Sequence, residues 1–460
     1  MGRDVDDQGA DPLGSSAEFE RALRQFRALL DAERIDALQP LGPGAVYTAL
    51  VTVWMLVYQR LQAGVPLTDA VSELIQSPPG FLPDNRRVRE NTLSANTGSF
   101  SRARSRLKPE VTQAVAERVF DSLVATTAPT ESGRRVFLLD GTTITLAPVP
   151  ALRQAFPPAS NQQGPGVWPV AHLVVAHELE SGCAPLPELG AKFGPAAQSE
   201  TELACALMSR LPSRSIVIAD RNFGIFSVAW AARQAGHDVL VRLTQSRFQA
   251  LRRQARIVEE ARSVEDAEPD SDGTSWRLTW TPSRGDRQSH PDLPAEASLE
   301  VRLHEQVLAS GQTLWLLTSW DCPRSRATAL YGRRQDVETD IRDVKVTLKT
   351  ETLSSRSVAM LRKELCVSMV AYNLVVQIRR LAARQAGVPP RRLSFAGTWS
   401  AVRIVLLSSP HWSAEEWRRR FQLALRMAAQ RKVPQRPGRS YPRKSHPRRK
   451  KSTNEQRSPP

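Results

Sequence analysis

Residues 136–145 have the sequence VFLLDGTTIT, and they mark the point at which the chain changes from helical to strand-forming sequence. The four apolar residues before Asp140 are typical of a short buried strand, and the β-branched residues from Thr142 to Thr145 favour a second strand. Asp140-Gly141 is a common turn sequence. We therefore predict a strand, a turn and a second strand at the start of an α/β unit.

Similar apolar runs follow further along the chain. They occupy residues 170–176, 215–219 and 239–243, and residues 199–211 and 223–236 between them have helical periodicity. This alternation of strand and helix predicts a mixed sheet with helices on its faces. We expect residues 131–245 to form the first part of this core.

The helical pattern lapses after residue 245. Residues 246–321 contain three strand-like runs, at 276–281, 299–303 and 314–320, and predict a β-rich insertion. Helical periodicity resumes at Arg326. We expect residues 322–385 to complete the core and 386–430 to form a helical C-terminal part.

The first 130 residues are predicted to form an all-helical domain. Ser15 and Glu18 make a capping box ahead of the first helix, and Pro109 begins the last one. Between these helices, residues 86–108 carry seven Lys or Arg against Glu90. We interpret this stretch as part of a DNA-end-binding surface; the alternative is a merely solvated basic face.

Length and charge limit the possible classes of protein. The chain has 460 residues, 41% hydrophobic and 24% charged, which is globular usage and predicts two or three folded units. Its net charge is +16, and residues 431–460 alone carry 11 Lys or Arg against Glu455. We expect this tail to be disordered. The charge favours a polyanionic partner such as nucleic acid.

Cysteine and histidine patterns give no indication of a metal centre. The four cysteines form no C-x-x-C pair, which excludes a zinc ribbon and a haem attachment. His172 and His177 are expected to be a core and edge pair on one strand. The N-terminus lacks a signal sequence, and the most apolar stretch, 45–61, is too short to span a bilayer. We expect a cytoplasmic, nucleoid-associated protein with no membrane partner.

Two aspartates each follow an apolar strand run directly. They are Asp140 and Asp220. Carboxylates at the carboxyl ends of strands in an α/β sheet project into the crevice where ligands bind. The alternative is that Asp140 belongs to a turn and Asp220 to a helix start.

Helical geometry selects four more residues in the segment from 331 to 345. At about 100° per residue, four side chains fall within an arc of about 60°: Tyr331, Arg334, Glu338 and Lys345. An apolar stripe adjoins that arc: Leu330, Val337, Ile341, Val344 and Leu348. Three aspartates point elsewhere: Asp336, Asp340 and Asp343. The alternative is a solvated face on which Arg334 and Glu338 form an i, i+4 pair.

These residues together have the chemistry of a phosphodiester-cutting site. Asp140, Asp220 and Glu338 are the hard oxygen ligands that two Mg²⁺ ions need to activate a nucleophile and stabilise a leaving oxygen. Arg and Lys side chains would contact phosphates, and a Tyr would donate a hydroxyl or stack.

The spacing Y-x2-R-x3-E-x6-K, filled by Tyr331, Arg334, Glu338 and Lys345, is similar to the signature of DDE transposases of the insertion-sequence-four type. The contexts LLDGTT around Asp140 and IADRNF around Asp220 resemble the first and second aspartate motifs of that family. RKEL at 362–365 and AYNL at 371–374 extend the resemblance, which covers about residues 86–385.

The resemblance implies a ribonuclease H-like core with the β-rich insertion between Asp220 and Glu338. It implies that these two residues and Asp140 hold two Mg²⁺ ions, for which Mn²⁺ substitutes. Tyr331, Arg334 and Lys345 would hold the terminal phosphates. The implied reaction is cleavage of double-stranded DNA at the element's ends and joining of the 3′-hydroxyls to target DNA, by a dimer in the synaptic complex.

One departure concerns the residue after the signature Arg. Many relatives have Trp there, and this chain has Gln335. Four tryptophans of the insertion are possible substitutes: Trp276, Trp280, Trp315 and Trp320. The alternatives to a transposase are a metal-dependent nuclease that cuts without joining and an inactive, transposase-derived DNA-binding repressor.

Overall fold

The computed structural model describes residues 31–42, 44–79, 81–162, 164–257, 273–350, 353, 355–408 and 413–434. The Ser15–Glu18 capping box and most of the basic tail, residues 435–460, lie outside the described residues.

Helices are the regular elements ahead of the sheet. They are α1 (Ala32–Leu38), α2 (Ala49–Leu61), α3 (Leu67–Gln76), α4 (Arg86–Arg89), α5 (Gly98–Arg106) and α6 (Pro109–Ala125). Thr48 caps α2 through its side chain, and Pro109 begins α6 as predicted.

The strands and helices of the α/β part then follow in chain order. The strands are β1 (Val136–Thr145), β2 (Ser160–Asn161), β3 (Gly164–Pro165), β4 (Val170–Glu178), β5 (Glu188–Ala191), β6 (Ile216–Ala219), β7 (Asp238–Arg242), β8 (Arg256–Ile257), β9 (Gly273–Trp280), β10 (Leu299–Val307) and β11 (Thr313–Thr318). The helices among them are α7 (Pro150–Ala155), α8 (Glu200–Met208), α9 (Phe226–Gln234), α10 (Gln245–Arg252) and α11 (Arg284–Ser289).

Nine of these strands form one mixed sheet in the order β5-β4-β1-β6-β7-β11-β10-β9-β8. The pairs β1–β6 and β6–β7 are parallel, and the other pairs are antiparallel. The predicted mixed sheet is therefore confirmed. The three strand-like runs of the insertion are confirmed as β9, β10 and β11, and they extend the central sheet, because β11 pairs with β7.

The predicted turn at Asp140-Gly141 is wrong. Residues 136–145 form one continuous strand, and β4 pairs with it from Phe137 opposite Glu178 to Thr145 opposite Val170. The turn sequence does not end the strand because β4 continues the ladder beyond the point at which β6 stops. Asp140 consequently lies in the part of β1 that pairs with β4 and no longer with β6.

The predicted helix after Arg326 is not uniform. It consists of α12 (Arg324–Gly332), a 3₁₀ turn at Arg333–Gln335, α13 (Asp336–Arg342) and a π-helical turn at Asp343–Thr347. The 3₁₀ turn winds more tightly than the α-helix assumed from the sequence, and the π-helical turn winds more loosely. The apolar stripe is still buried on the whole, with Val337 and Leu348 fully inaccessible.

The longest helix is α14 (Val358–Gln385), which is followed by α15 (Phe395–Ser408) and α16 (Ala414–Gln430). In the described part of the chain α14 alone is long and apolar enough to cross a membrane, and 94% of its apolar window is buried inside the protein. Helices α2 and α6 pack along it. Their buried side chains share one core with a face of the sheet, so the N-terminal helices pack as part of the α/β body.

Side-chain alternation on β1 divides the core into two layers. Phe137 and Leu139 face the layer that contains α14 and the N-terminal helices. Val136 and Leu138 face the other side, where they pack with Leu330 and neighbouring residues of α12 and α13. Because side chains alternate along a strand, Asp140 must point to this second layer.

Candidate active site

Asp140 lies on β1, and Asp220 directly follows β6, the parallel neighbour of β1. The pairing of β1 with β6 has a constant offset, with Val136 opposite Ile216 and Leu138 opposite Ile218. The ladder ends there, but the same offset continued for two residues would bring Asp140 to Asp220, and the two carboxylates are near enough for the charge of Asp220 to raise the pKa of Asp140. Parallel strands lie about 4.8 Å apart, so both carboxylates leave the sheet at one place.

The Arg334 guanidinium joins two of the three predicted carboxylates. Its Nη1 donates to Asp140 Oδ2 at 3.2 Å, and its Nη2 donates to Glu338 Oε1 at 2.7 Å. The i, i+4 pair expected of a solvated helix face is therefore present, but the same arginine also reaches the sheet. We call Arg334, Asp140, Asp220 and Glu338 the Arg334 cluster.

Lys345 and Tyr331 lie next to the Arg334 cluster. Lys345 Nζ donates to the backbone oxygen of Thr143 at 2.9 Å and so ties the π-helical turn to the end of β1. The Tyr331 ring is buried, and its hydroxyl lies beside Arg242 and Asp220. Both residues hold the interrupted helix against the sheet.

Burial and charge act together on Asp140. Burial raises the pKa of this carboxyl, and the negative charge of Asp220 raises it further, while the Gly141 amide and Arg334 oppose the shift. The net rise in pKa means that the ionised form lacks sufficient positive charge around it. A cation bound between Asp140 and Asp220 would supply that charge.

The donor set of the Arg334 cluster fits a hard divalent cation by its chemistry. Asp140, Asp220 and Glu338 offer oxygen ligands only, as Mg²⁺ or Mn²⁺ prefers. Within the described residues no three acidic, His or Cys side chains lie close enough to hold an ion as they stand. In this arrangement the Glu338 carboxylate is directed to Arg334.

Glu200 is a neighbour that the sequence did not reveal. It lies at the start of α8, its carboxylate accepts from Asn222 Nδ2 at 3.3 Å, and a Cβ on Gly141 would lie 2.7 Å from it. The lack of a side chain at Gly141 thus lets this acid approach β1. Glu200 follows an N-cap serine, Ser199, and nothing else in the sequence distinguishes it from an ordinary helix-start acid.

The other side of α13 carries a second acid-base cluster, which is buried. Arg391 donates from Nη1 to Asp340 Oδ1 at 2.9 Å and pairs through Nη2 with Asp340 Oδ2 at 2.8 Å. Asp340 is completely inaccessible, and His177, as inaccessible as Asp340, bonds to Tyr372 beside it. We call Arg391, Asp340, Asp336 and His177 the Arg391 cluster.

Burial by itself would raise the pKa of Asp340, but the charges of Arg391 and His177 outweigh it and hold that pKa below the ordinary value. The prediction that Asp340 and Asp343 point away from the four signature residues is thus confirmed, and both are buried. Of the predicted core and edge histidine pair, the buried His177 is confirmed. His172 does not lie on an edge strand, because β4 pairs with both β1 and β5, and its ring bonds to the Gln198 backbone oxygen.

Two of the four tryptophans suggested as substitutes for a ring at Gln335 are not accessible to a ligand. Trp276 and Trp280 are buried in the core, Trp315 donates to Glu305, and Trp320 packs against Arg134. That suggestion is therefore wrong for Trp276 and Trp280. Both rings are inaccessible because they pack edge-on against phenylalanines beneath the sheet.

A family profile described as "Transposase DDE domain" matches residues 131–374, which is just over half of the chain and includes every residue of the Arg334 cluster. No curated protein matches the chain. Proteins of this family are transposases, whose substrate is DNA and which generally use divalent metal ions. The match and the mixed α/β architecture agree, and the chain belongs to the transposase DDE domain family.

Proposed function

We propose that the protein is a DDE transposase of the insertion-sequence-four type, which cleaves DNA at the ends of an insertion sequence and joins the 3′-hydroxyls to target DNA. The observation that carries this proposal is the meeting of Asp140 on β1, Asp220 after β6, and Arg334 and Glu338 of the interrupted helix. A DNA-binding repressor would have no use for Asp140 with a second acid beside it and a third joined to it through Arg334.

In this proposal Asp140, Asp220 and Glu338 hold two Mg²⁺ ions, which Mn²⁺ can replace. When bound, such ions activate an attacking water or hydroxyl and offset the charge on the leaving oxygen of the phosphodiester. Asp140 is already oriented for this, because the Gly141 amide donates to its Oδ1 at 2.8 Å. The Asn222 amide orients Asp220 in the same way.

Arg334 has a double role in the proposal. Before DNA binds, its guanidinium offsets the negative charges of Asp140 and Glu338 by pairing with both. With DNA present, a planar guanidinium is well suited to bidentate contact with a phosphate. The carboxylates released by Arg334 would then be available as oxygen ligands.

Tyr331 and Lys345 act mainly as positioning residues in this proposal. Burial raises the pKa of Tyr331, so its phenol remains protonated near neutral pH and can donate a hydrogen bond. Lys345 is engaged with the Thr143 carbonyl and keeps Glu338 close to β1. The remaining donors of its ammonium can face a phosphate oxygen.

The test is to incubate the protein with a labelled duplex that carries the ends of its flanking element, a supercoiled target, and either Mg²⁺ or EDTA. The proposal expects metal-dependent end cleavage and a joined product. Cutting without joining would favour the nuclease. Metal-independent binding with neither reaction would favour the repressor. Because joining acts on two ends, we expect the active species to be a dimer on DNA in the cytoplasm.

A further inference from the structure

A separate cleft opens between α2, α5 and the start of α14. Its volume is about 890 Å³, and both polar and apolar residues from three distant parts of the chain line it. We call it the α14 cleft and define it by Arg60, Arg104, Ser355, Lys363 and Glu364. None of these residues belongs to the Arg334 cluster.

Positive charge exceeds negative charge inside the α14 cleft. Arg104 donates to Glu364 Oε1 at 2.9 Å, and Arg60 Nη2 lies 3.5 Å from Glu364 Oε2. Lys363 adds a third buried cation, directed at backbone oxygens such as that of Leu107. Three cations therefore share one acid. Burial lowers the pKa of Arg60, as expected of a cation that has too little negative charge around it.

Two residues that line the cleft each have a buried polar atom without a hydrogen-bond partner. Ser355 is 2% exposed, and its hydroxyl has no hydrogen-bond partner. The same is true of Arg104 Nε. Buried polar groups normally find a partner, so these two point to a molecule that completes the site.

The start of α14 adds donors of its own. Ser357 caps this 28-residue helix, and the exposed Arg356 precedes the cap at the rim of the cleft. The first amides of a long helix favour an anion. A hydroxyl, a guanidinium and a helix start in one cleft are the usual components of a phosphate site.

We propose that the α14 cleft binds a phosphate of the DNA backbone, outside the cleavage site. This inference rests on the proposed function, since it assigns a second contact to the same DNA. Arg102 and Arg106 of α5 and Lys108, which directly precedes α6, continue the positive surface, and all three are exposed. Leu361 of α14 packs with Ile144 of β1, the strand of Asp140, so DNA at the active site can extend towards the cleft.

The first experiment measures the affinity of an end duplex for the protein in EDTA, over a range of salt concentrations. Arg356→Gln removes an exposed charge for which the structure shows no ion pair, so folding should be unaffected. We expect several-fold weaker binding and a salt slope smaller by about 0.9, the value for one phosphate contact. Arg284→Gln, an exposed arginine in the insertion, is the matched control and should leave the slope unchanged.

Glu364→Gln changes the cleft in the opposite direction. It removes the single acid while keeping the side-chain shape, so DNA should bind more tightly, by several-fold. A merely structural role of Glu364 would give unchanged or weaker binding. Inorganic phosphate should also raise the melting temperature of this variant more than chloride does at equal ionic strength, and more than it does for Arg356→Gln.

The possible results distinguish a failure of the cleft assignment from a failure of the proposed function. An unchanged slope in Arg356→Gln, with wild-type DNA binding intact, overturns the cleft assignment alone. Thermal stabilisation by phosphate with that unchanged slope means that the cleft takes a free phosphate, which overturns its assignment to DNA. Absence of any DNA binding by the wild type would instead overturn the proposed function.

Discussion

The Arg334 and Arg391 clusters lie on opposite sides of α13, and each contains an arginine close to two carboxylates. In the first, the Glu338 side chain is 53% exposed and its partner arginine lies at a sheet end. In the second, Asp340 is 0% exposed, accepts a hydrogen bond from Arg391 through Oδ1 and forms an ion pair with it through Oδ2. Two acids only two residues apart thus have different roles because water reaches one of them and not the other.

The difference shows how a site can be told from a structural ion pair. An exposed pair contributes little to stability, so its members can exchange partners at small cost. A buried pair cannot be opened without leaving a charge unpaired in the interior. We therefore expect substitutions in the Arg334 cluster to affect chemistry and those in the Arg391 cluster to affect folding.

Glu338→Gln should have the largest effect. Loss of one metal ligand removes several kcal/mol of transition-state stabilisation, so end cleavage should fall by at least about a thousandfold. Binding to the end duplex and the free energy of unfolding should remain within about 1 kcal/mol of wild type. Cleavage and gel-shift assays on the same preparation measure both. A parallel loss of binding and cleavage would show that Glu338 is a structural acid.

Arg391→Met should destabilise the protein by about 3–5 kcal/mol, because it leaves Asp340 charged and unpaired in the interior. Urea unfolding at pH 7 measures the change. Arg333→Met is the matched control, since its ion pairs with Glu180 and Asp336 are partly exposed and should contribute at most about 1 kcal/mol. Equal effects of the two variants would contradict the difference drawn between the clusters.

Asp343→Asn tests whether the buried carboxyl beside Asp340 makes the stability of the protein depend on pH. Burial raises the pKa of Asp343 from 3.8 to about 6. The folded state therefore favours the protonated form of Asp343. The stability that this protonation contributes is fully present below pH 3.8 and is lost as the pH rises through 6. The variant should be more stable than wild type at pH 8, on the order of 2 kcal/mol, but not at pH 4. Urea unfolding at both pH values should show this; a difference independent of pH would be inconsistent with the raised pKa.

Arg334→Ala should have the smallest effect. The variant loses a phosphate contact, so end binding or strand transfer should weaken by about tenfold. The free energy of unfolding should fall by about 1 kcal/mol, because Asp140, whose side chain is only 20% exposed, loses a hydrogen bond from Arg334. Strand-transfer assays with Mg²⁺ measure the first, and urea unfolding the second. Wild-type activity would mean that Arg334 and Glu338 are no more than a surface pair.

Several elements of this arrangement were predictable from sequence. Strands buried on both faces have uninterrupted apolar residues, which is why the runs before Asp140 and Asp220 were informative. The pairing of Arg334 with Glu338 follows from helical spacing alone. The turn at Gly141 was mispredicted because local turn propensity was outweighed by a ladder with β4, whose residues are about thirty positions away.

Other contacts could not be predicted because they join distant residues. Arg334 is 194 positions from Asp140, and Arg391 is 51 from Asp340. No periodicity in the sequence reports such pairs. The burial of Trp276 and Trp280 likewise depends on which face of the sheet the phenylalanines cover.

The sequence by itself determined the chemistry of this protein: three acids, an arginine and a lysine at spacings that local geometry can interpret. Tertiary structure decided which of the many charged residues are accessible. The constant offset between β1 and β6 placed two aspartates side by side, and the packing of α13 exposed Glu338 while enclosing Asp340. Helix period and strand alternation are local properties, whereas access to water depends on the whole fold.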